Sequence, residues 1–177
     1  MDFDPTDEQR MLAETLNGLL DKRYDANTRL ELLDSERGWS REIWQQYAEL
    51  GLLGLTFEEQ YGGAGMGAAE LMTVMESFGR SLILEPFFST VVVGGTLLAE
   101  AGTPQQKWAI LPRVASGELL LAFAHTEPGS RWSLTDVTST ASPNGDSWTV
   151  TGEKIAVAGA DSADTLIVSA RTSDGVG

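Results

Sequence analysis

Near Gly117 the spacing of apolar residues changes from a helical repeat to an alternation, and no single kind of regular structure serves both halves. Before that point apolar side chains recur every three or four positions, and Met11, Leu12, Leu16, Leu19 and Leu20 form the first stripe. After it β-branched residues become frequent and the period shifts toward two. The expected architecture is therefore α+β: an all-α helical bundle domain over residues 1–117, then the first strands of an antiparallel β-barrel-like domain over 118–177.

Local signals predict the helices. Thr6 followed by Gln9 fits a capping box, which starts a helix running to about Arg23. A shorter helix is expected over Asn27 to Asp34. Ser40 caps a third, whose Ile43, Trp44, Tyr47 and Leu50 share a face, with Gly51 available to stop it. Leu71, Val74, Met75 and Phe78 mark a helix over Ala68 to Leu82. Pro86 opens another, apolar nearly all round, in which Gly94 and Gly95 allow a neighbour to approach closely. Thr103 and Pro104 begin the last, which Pro112 should kink or shorten. Strands are predicted over Leu119 to Ala124, Val137 to Ala141, Trp148 to Gly152, Thr165 to Ala170 and Thr172 to Gly177, with a turn at Pro143-Asn144-Gly145-Asp146.

Charge and composition narrow the function classes. With 26 acidic against 12 basic side chains, the net charge of −14 repels a phosphate backbone, so nucleic acid is not an expected partner. The absence of cysteine removes disulfide and thiolate chemistry, and one histidine, His125, leaves no second imidazole for a metal cluster. No metal site is expected. The N-terminus shows no secretory signal, and the most apolar run, Phe87 to Ala99, is too short to span a membrane, so a cytoplasmic protein is expected.

The glycine-rich stretch Glu59 to Gly67 lies between two predicted helices and has no Gly-Lys-Ser/Thr ending, which excludes a P-loop. A flexible connector is the expected role. Glu58-Glu59 and Asp7-Glu8 are adjacent in sequence, so their side chains diverge and neither pair is an acid and base set. Without a histidine-carboxylate arrangement, the serines and threonines after Ser130 have no activating base.

Several motifs occur in a telling order: Phe3-Asp4 before an acidic capped helix, Glu49-Leu50-Gly51-Leu52-Leu53-Gly54, Tyr61-Gly62-Gly63, Ala122 to Pro128, and Gly152-Glu153-Lys154. Together they resemble the acyl-CoA dehydrogenases, over essentially the whole chain. Leu120 to His125, Ser130-Arg131, and Ser162-Ala163-Asp164 to Arg171-Thr172 are most similar to the pimeloyl-CoA dehydrogenase small-subunit branch.

The resemblance implies FAD as cofactor, an acyl-CoA thioester as substrate, and oxidation of its Cα–Cβ bond. It implies that Phe123 neighbours the flavin ring, that His125 borders it, and that Thr126 hydrogen-bonds its pyrimidine edge. Ala156 and Ala158 stand where the family carries a flavin-packing tryptophan and a threonine or serine. Trp132 and Ser133 occupy the stretch that contacts acyl-CoA. The family's catalytic carboxylate usually lies in a C-terminal helical domain, so no catalytic residue is assigned here. The implied partners are another acyl-CoA dehydrogenase subunit, in a homo- or hetero-oligomer, and an electron-accepting flavoprotein. The alanines at 156 and 158 and Trp132 suit an alternative: a non-catalytic partner subunit with a degenerate flavin site.

Overall fold

Thr6 accepts a hydrogen bond from the Gln9 backbone while the Gln9 amide oxygen accepts one from the Thr6 backbone, which completes the predicted capping box. Helix α1, Asp7–Arg23, follows from it. The computed structural model describes residues 4–130 and 133–177, so Phe3, Arg131 and Trp132 lie outside the described residues. Helices α2 (Ala26–Leu33), α3 (Arg41–Glu49) and α4 (Ala68–Ser81) fall where the apolar spacing put them. Asp25 caps α2, Ser40 caps α3, and Gly51 takes the left-handed conformation after α3.

The helices close on one core. Trp44, Tyr47, Leu53, Phe57, Val74 and Val91 are buried in it; of the two predicted stripes Ile43, Trp44, Tyr47, Val74 and Phe78 are buried and Leu71 and Met75 half-buried, whereas Leu50, expected on the α3 face, is exposed. Tyr47 and Phe87 both pack on Phe78, each with ring centroids 4.8 Å from it. Gln9 also donates from its side chain to Glu70, which ties the start of α1 to the first turn of α4.

One helical prediction needs correction, and of the two effects expected of Pro112 the shortening is absent. The segment after Pro86 is not one α-helix: Phe88–Gly95 winds as a π-helix before α5, Thr96–Ala101. Three successive valines and two glycines supply little intrinsic preference for α winding, and tertiary contact decides the conformation. Pro112 does not shorten α6, which runs Pro104–Ala115. The carbonyl that loses its helical donor there is that of Trp108, a residue 56% exposed, where water can replace the bond.

The glycine-rich connector is also held more firmly than expected. Ala64, Gly65 and Met66 donate their backbone N–H groups to the carbonyls of Gly54, Phe57 and Leu55 at 2.9 to 3.0 Å. A Cβ on Gly63 would fall 2.0 Å from the Phe57 carbonyl oxygen, so the loop packs directly against the preceding turn.

The strands begin with β1, Leu121–Ala124, which pairs in parallel with β4, Thr165–Val168. Residues 125–164 between them are ample for the crossover that parallel pairing requires. The pairing is thus mixed rather than wholly antiparallel. Within the crossover, β2 (Thr140–Asn144) and β3 (Ser147–Thr151) form an antiparallel hairpin. Its turn is narrower than predicted, because Pro143 and Asn144 belong to β2 and Gly145 carries the positive φ of 63°. Strands β5 (Arg171–Thr172) and β6 (Gly175–Val176) continue that sheet in the order β3-β2-β5-β6. The described strands do not close into a barrel. Among the described residues no helix is long and apolar enough to cross a membrane.

Candidate functional site

Strand β1 enters the helical core because the π-helix offers it glycine. A Cβ at Gly94 would lie 2.7 Å from the Cβ of Leu121, so the strand can approach only a bare backbone there. Buried Thr90 completes the contact: its hydroxyl donates to the Leu121 carbonyl and accepts from the Leu121 N–H, at 3.1 and 3.2 Å. One side chain thereby serves both backbone groups that a further strand would have paired.

Leaving the core, β1 presents alternate side chains on one face, and Phe123 and His125 stack with centroids 5.3 Å apart and planes inclined by 23°. Both are half-buried, as is Thr126. The Thr126 carbonyl accepts from the Ile155 N–H at 2.8 Å, which brings the segment carrying Ala156 alongside. Ala156 is exposed and holds a φ of +51°, in the left-handed region that is costly for a residue with a Cβ.

Beneath this edge lies a buried ion pair. Lys154 Nζ donates to Glu127 Oε1 at 2.7 Å, and only 2% of the Glu127 side chain is exposed. The other partners of that carboxylate are the Thr138 hydroxyl and N–H and the Ser139 N–H. Lys154 above all, then Thr138 and Ser139, holds the Glu127 carboxyl well below the usual carboxylate range. These bonds also explain why β2 starts at Thr140 rather than Val137: the N–H groups of 138 and 139 are committed to Glu127. Lys154 further donates to the His125 carbonyl at 3.1 Å and to Ser169 Oγ at 3.0 Å.

A second buried carboxylate sits in the helical part. Glu85 accepts from the Tyr24 hydroxyl at 2.7 Å, from the Tyr47 hydroxyl at 3.4 Å and from the Ser40 N–H at 3.1 Å. Burial pushes its carboxyl up from the ordinary value despite those bonds. Burial first, and then the neighbouring Glu85, pushes the Tyr24 and Tyr47 hydroxyls up as well, so both remain donors. Glu85 lines a cavity of about 300 Å³ together with Trp39, Phe88, Ser89, Ala158 and Gly159.

The predicted site residues therefore divide. Phe123, His125 and Thr126 share one stretch, and Ile155 docks Ala156 beside it. Ala158 lines the Glu85 cavity instead. Ser133 is exposed, its N–H donating to the Ser130 carbonyl at 3.0 Å, and Trp132 lies outside the described residues. Glu127, Lys154 and Ser169 lie within the motifs quoted above but were given no role from sequence, and Glu85 was not singled out at all. Their one sequence signal was a charge in an apolar setting: Glu85 interrupts Leu82 to Phe88, and Glu127 follows an apolar strand.

Residues 6–118 match the family model described as Acyl-CoA dehydrogenase, N-terminal domain. The chain belongs to the acyl-CoA dehydrogenase family. A curated acyl-CoA dehydrogenase, FadE12 of Mycobacterium tuberculosis, is 37% identical over 136 residues, which are 75% of this chain and 34% of that protein. The ChsE4-ChsE5 complex from Mycobacterium tuberculosis contains a chain that superposes with a TM-score of 0.88 at 26% identity, covering 99% of this acyl-CoA dehydrogenase chain and 47% of the other. A glutaryl-CoA dehydrogenase from Mycobacterium smegmatis in complex with FADH2 gives a TM-score of 0.84 at 25% identity, with 97% and 44% covered. The chain thus spans from a third to just under half the length of these three relatives.

Proposed function

We propose that this chain supplies one wall of the flavin and acyl-CoA site of an acyl-CoA dehydrogenase, within the division 1–117 and 118–177 that the sequence suggests. The observation that carries the reading is the half-buried Phe123–His125 stack leading into Thr126, with the Ala156 segment docked beside it. A flat heteroaromatic ring needs an apolar surface against its face and polar groups at its edge. Phe123 and His125 fit the first need. The Thr126 hydroxyl and the exposed backbone around Ala156 fit the second.

Bound there, FAD would accept the hydride that leaves Cβ of the acyl thioester. This chain's residues would position and shield: Phe123 and His125 against the ring and Thr126 at its pyrimidine edge, while Trp132 and Ser133 belong to the stretch that by family resemblance contacts acyl-CoA. Ala156 and Ala158 add little side-chain bulk to the wall. No residue here is assigned the removal of the α proton, which the family gives to a carboxylate of a further helical domain. An electron-accepting flavoprotein would reoxidise the cofactor. Motif similarity alone supports the pimeloyl-CoA small-subunit branch, and the cysteine-free sequence is compatible with a reducing cytoplasm.

The test is the purified protein, with any subunit that accompanies it. Visible flavin absorbance that bleaches on adding an acyl-CoA is expected. A colourless preparation that no acyl-CoA alters ends the proposal. The exposed alanines at 156 and 158 favour a second reading, a non-catalytic subunit of a hetero-oligomer. Counting flavin per chain in the purified assembly decides between them: one flavin per chain excludes the non-catalytic role, and one per two different chains supports it.

A further inference from the structure

His125 is the one histidine of the sequence, and its ring state is fixed by hydrogen-bond accounting around Ser169. An ammonium group has three N–H donors and no acceptor. Lys154 directs all three inward, to the His125 carbonyl, Glu127 Oε1 and Ser169 Oγ at 3.1, 2.7 and 3.0 Å. Toward Lys154, then, Ser169 can only accept. Its hydroxyl proton is left for its other neighbour, His125 Nδ1, 3.0 Å away. Ser169 is 7% exposed, and a hydroxyl proton left without an acceptor in such a place is costly. With Nδ1 accepting, a neutral imidazole must carry its proton on Nε2.

We propose that Ser169 and Lys154 are positioning residues that hold His125 in the Nε2–H form, so that the ring offers a donor from the Phe123–His125 face. The geometry supports this at both ends. Ser169 follows β4 and its N–H donates to the Ala124 carbonyl at 3.2 Å, so it is placed by the same pairing that places β1. Lys154 is anchored by the buried Glu127 and cannot turn toward another acceptor without leaving that carboxylate unpaired. Nδ1 faces the interior, which turns the Nε2 edge away from Ser169. A donor there suits an electron-rich heteroaromatic ligand that presents nitrogen or carbonyl acceptors. This last step rests on the proposed flavin site, whereas the ring state rests on the hydrogen bonds alone.

The experiment is nitrogen NMR of the full protein labelled with 15N only in histidine, at pH 8, above the ordinary titration range of imidazole. The Nε2–H pattern with a hydrogen-bonded Nδ1 acceptor is expected for His125. Ser169→Ala should move the Nδ1 resonance toward that of a free acceptor, and Ser169→Thr, which keeps the hydroxyl, should restore it. An Nδ1–H pattern in the unaltered protein overturns the proposal, as does an Nδ1 resonance that Ser169→Ala leaves in place. Should Ser169→Ala fail to fold, Ser169→Val, which has the shape of threonine without the hydroxyl, supplies the same readout against Ser169→Thr. Addition of FAD should shift the Nε2 resonance. A protein that turns yellow with that resonance unmoved would remove the flavin from this face while the ring assignment stands.

Discussion

Gly94 and Leu121 are so close that a methyl group at residue 94 would sit 2.7 Å from the Cβ of Leu121. This contact joins the π-helix to β1, and through β1 it sets the depth at which Phe123 and His125 emerge. Gly94→Ala should destabilise the fold by about 1–3 kcal/mol, as overpacking does when neither partner can yield. Urea unfolding monitored by tryptophan fluorescence would show it, and an unchanged midpoint would mean that the helix and strand can separate at no cost.

Glu85 predicts a pH dependence of one sign. Its carboxyl is raised from the ordinary 4.5 by burial, so the folded state holds the proton more tightly than the unfolded chain does. The stability tied to that proton is fully present below the unfolded value and is lost as pH rises through the folded one. Glu85→Gln should flatten this decline on the rising side of pH 4.5. Melting temperatures of both proteins across the acid range would check it.

Glu127 predicts the opposite slope. Its carboxyl is depressed, chiefly by Lys154, so its contribution is present above the unfolded value of 4.5 and is lost as pH falls from there toward the folded value. Glu127→Gln should remove this acid-side loss while lowering stability at neutral pH. Lys154→Met should be the more damaging change, because it leaves a buried carboxylate without its cation, and a fall of several degrees in Tm, on the order of that expected for losing a buried partner, would register it.

Trp44 donates from its indole nitrogen to the Gly117 carbonyl at 3.1 Å. Trp44→Phe preserves most of the apolar volume and removes that donor, at an expected cost of about 1–3 kcal/mol for the orphaned carbonyl together with the partial cavity. Chemical denaturation would measure it. A neutral result would show that water reaches Gly117.

Much of the helical part was legible because its signals are local. Thr6, Ser40 and Thr103 each cap the helix that follows, and the centres of the α3 and α4 stripes, Ile43, Trp44, Tyr47, Val74 and Phe78, are buried, although Leu50 is not. The strand part was legible only as strands. Their partners depend on which distant backbone groups are already occupied, as at Thr138 and Ser139, whose N–H groups serve Glu127 and delay the start of β2.

The candidate site divides in the same way. Short motifs singled out Phe123, His125 and Thr126, because a stretch of adjacent residues keeps its order in space. Lys154 reaches Glu127 across 27 positions and Ser169 across 15, and Tyr24 reaches Glu85 across 61. Nothing in spacing or composition announces such pairs.

By itself, then, the sequence determined most of the helical and strand segments, the caps at Thr6, Ser40 and Thr103, the acidic character and the family. Tertiary structure alone decided the parallel pairing of β1 with β4, the π winding beside Leu121, the two buried carboxylates with opposite shifts, and the partner of the His125 ring. The physical reason is range: capping and periodicity act within a turn or two of chain, whereas burial and charge pairing depend on what folding brings together.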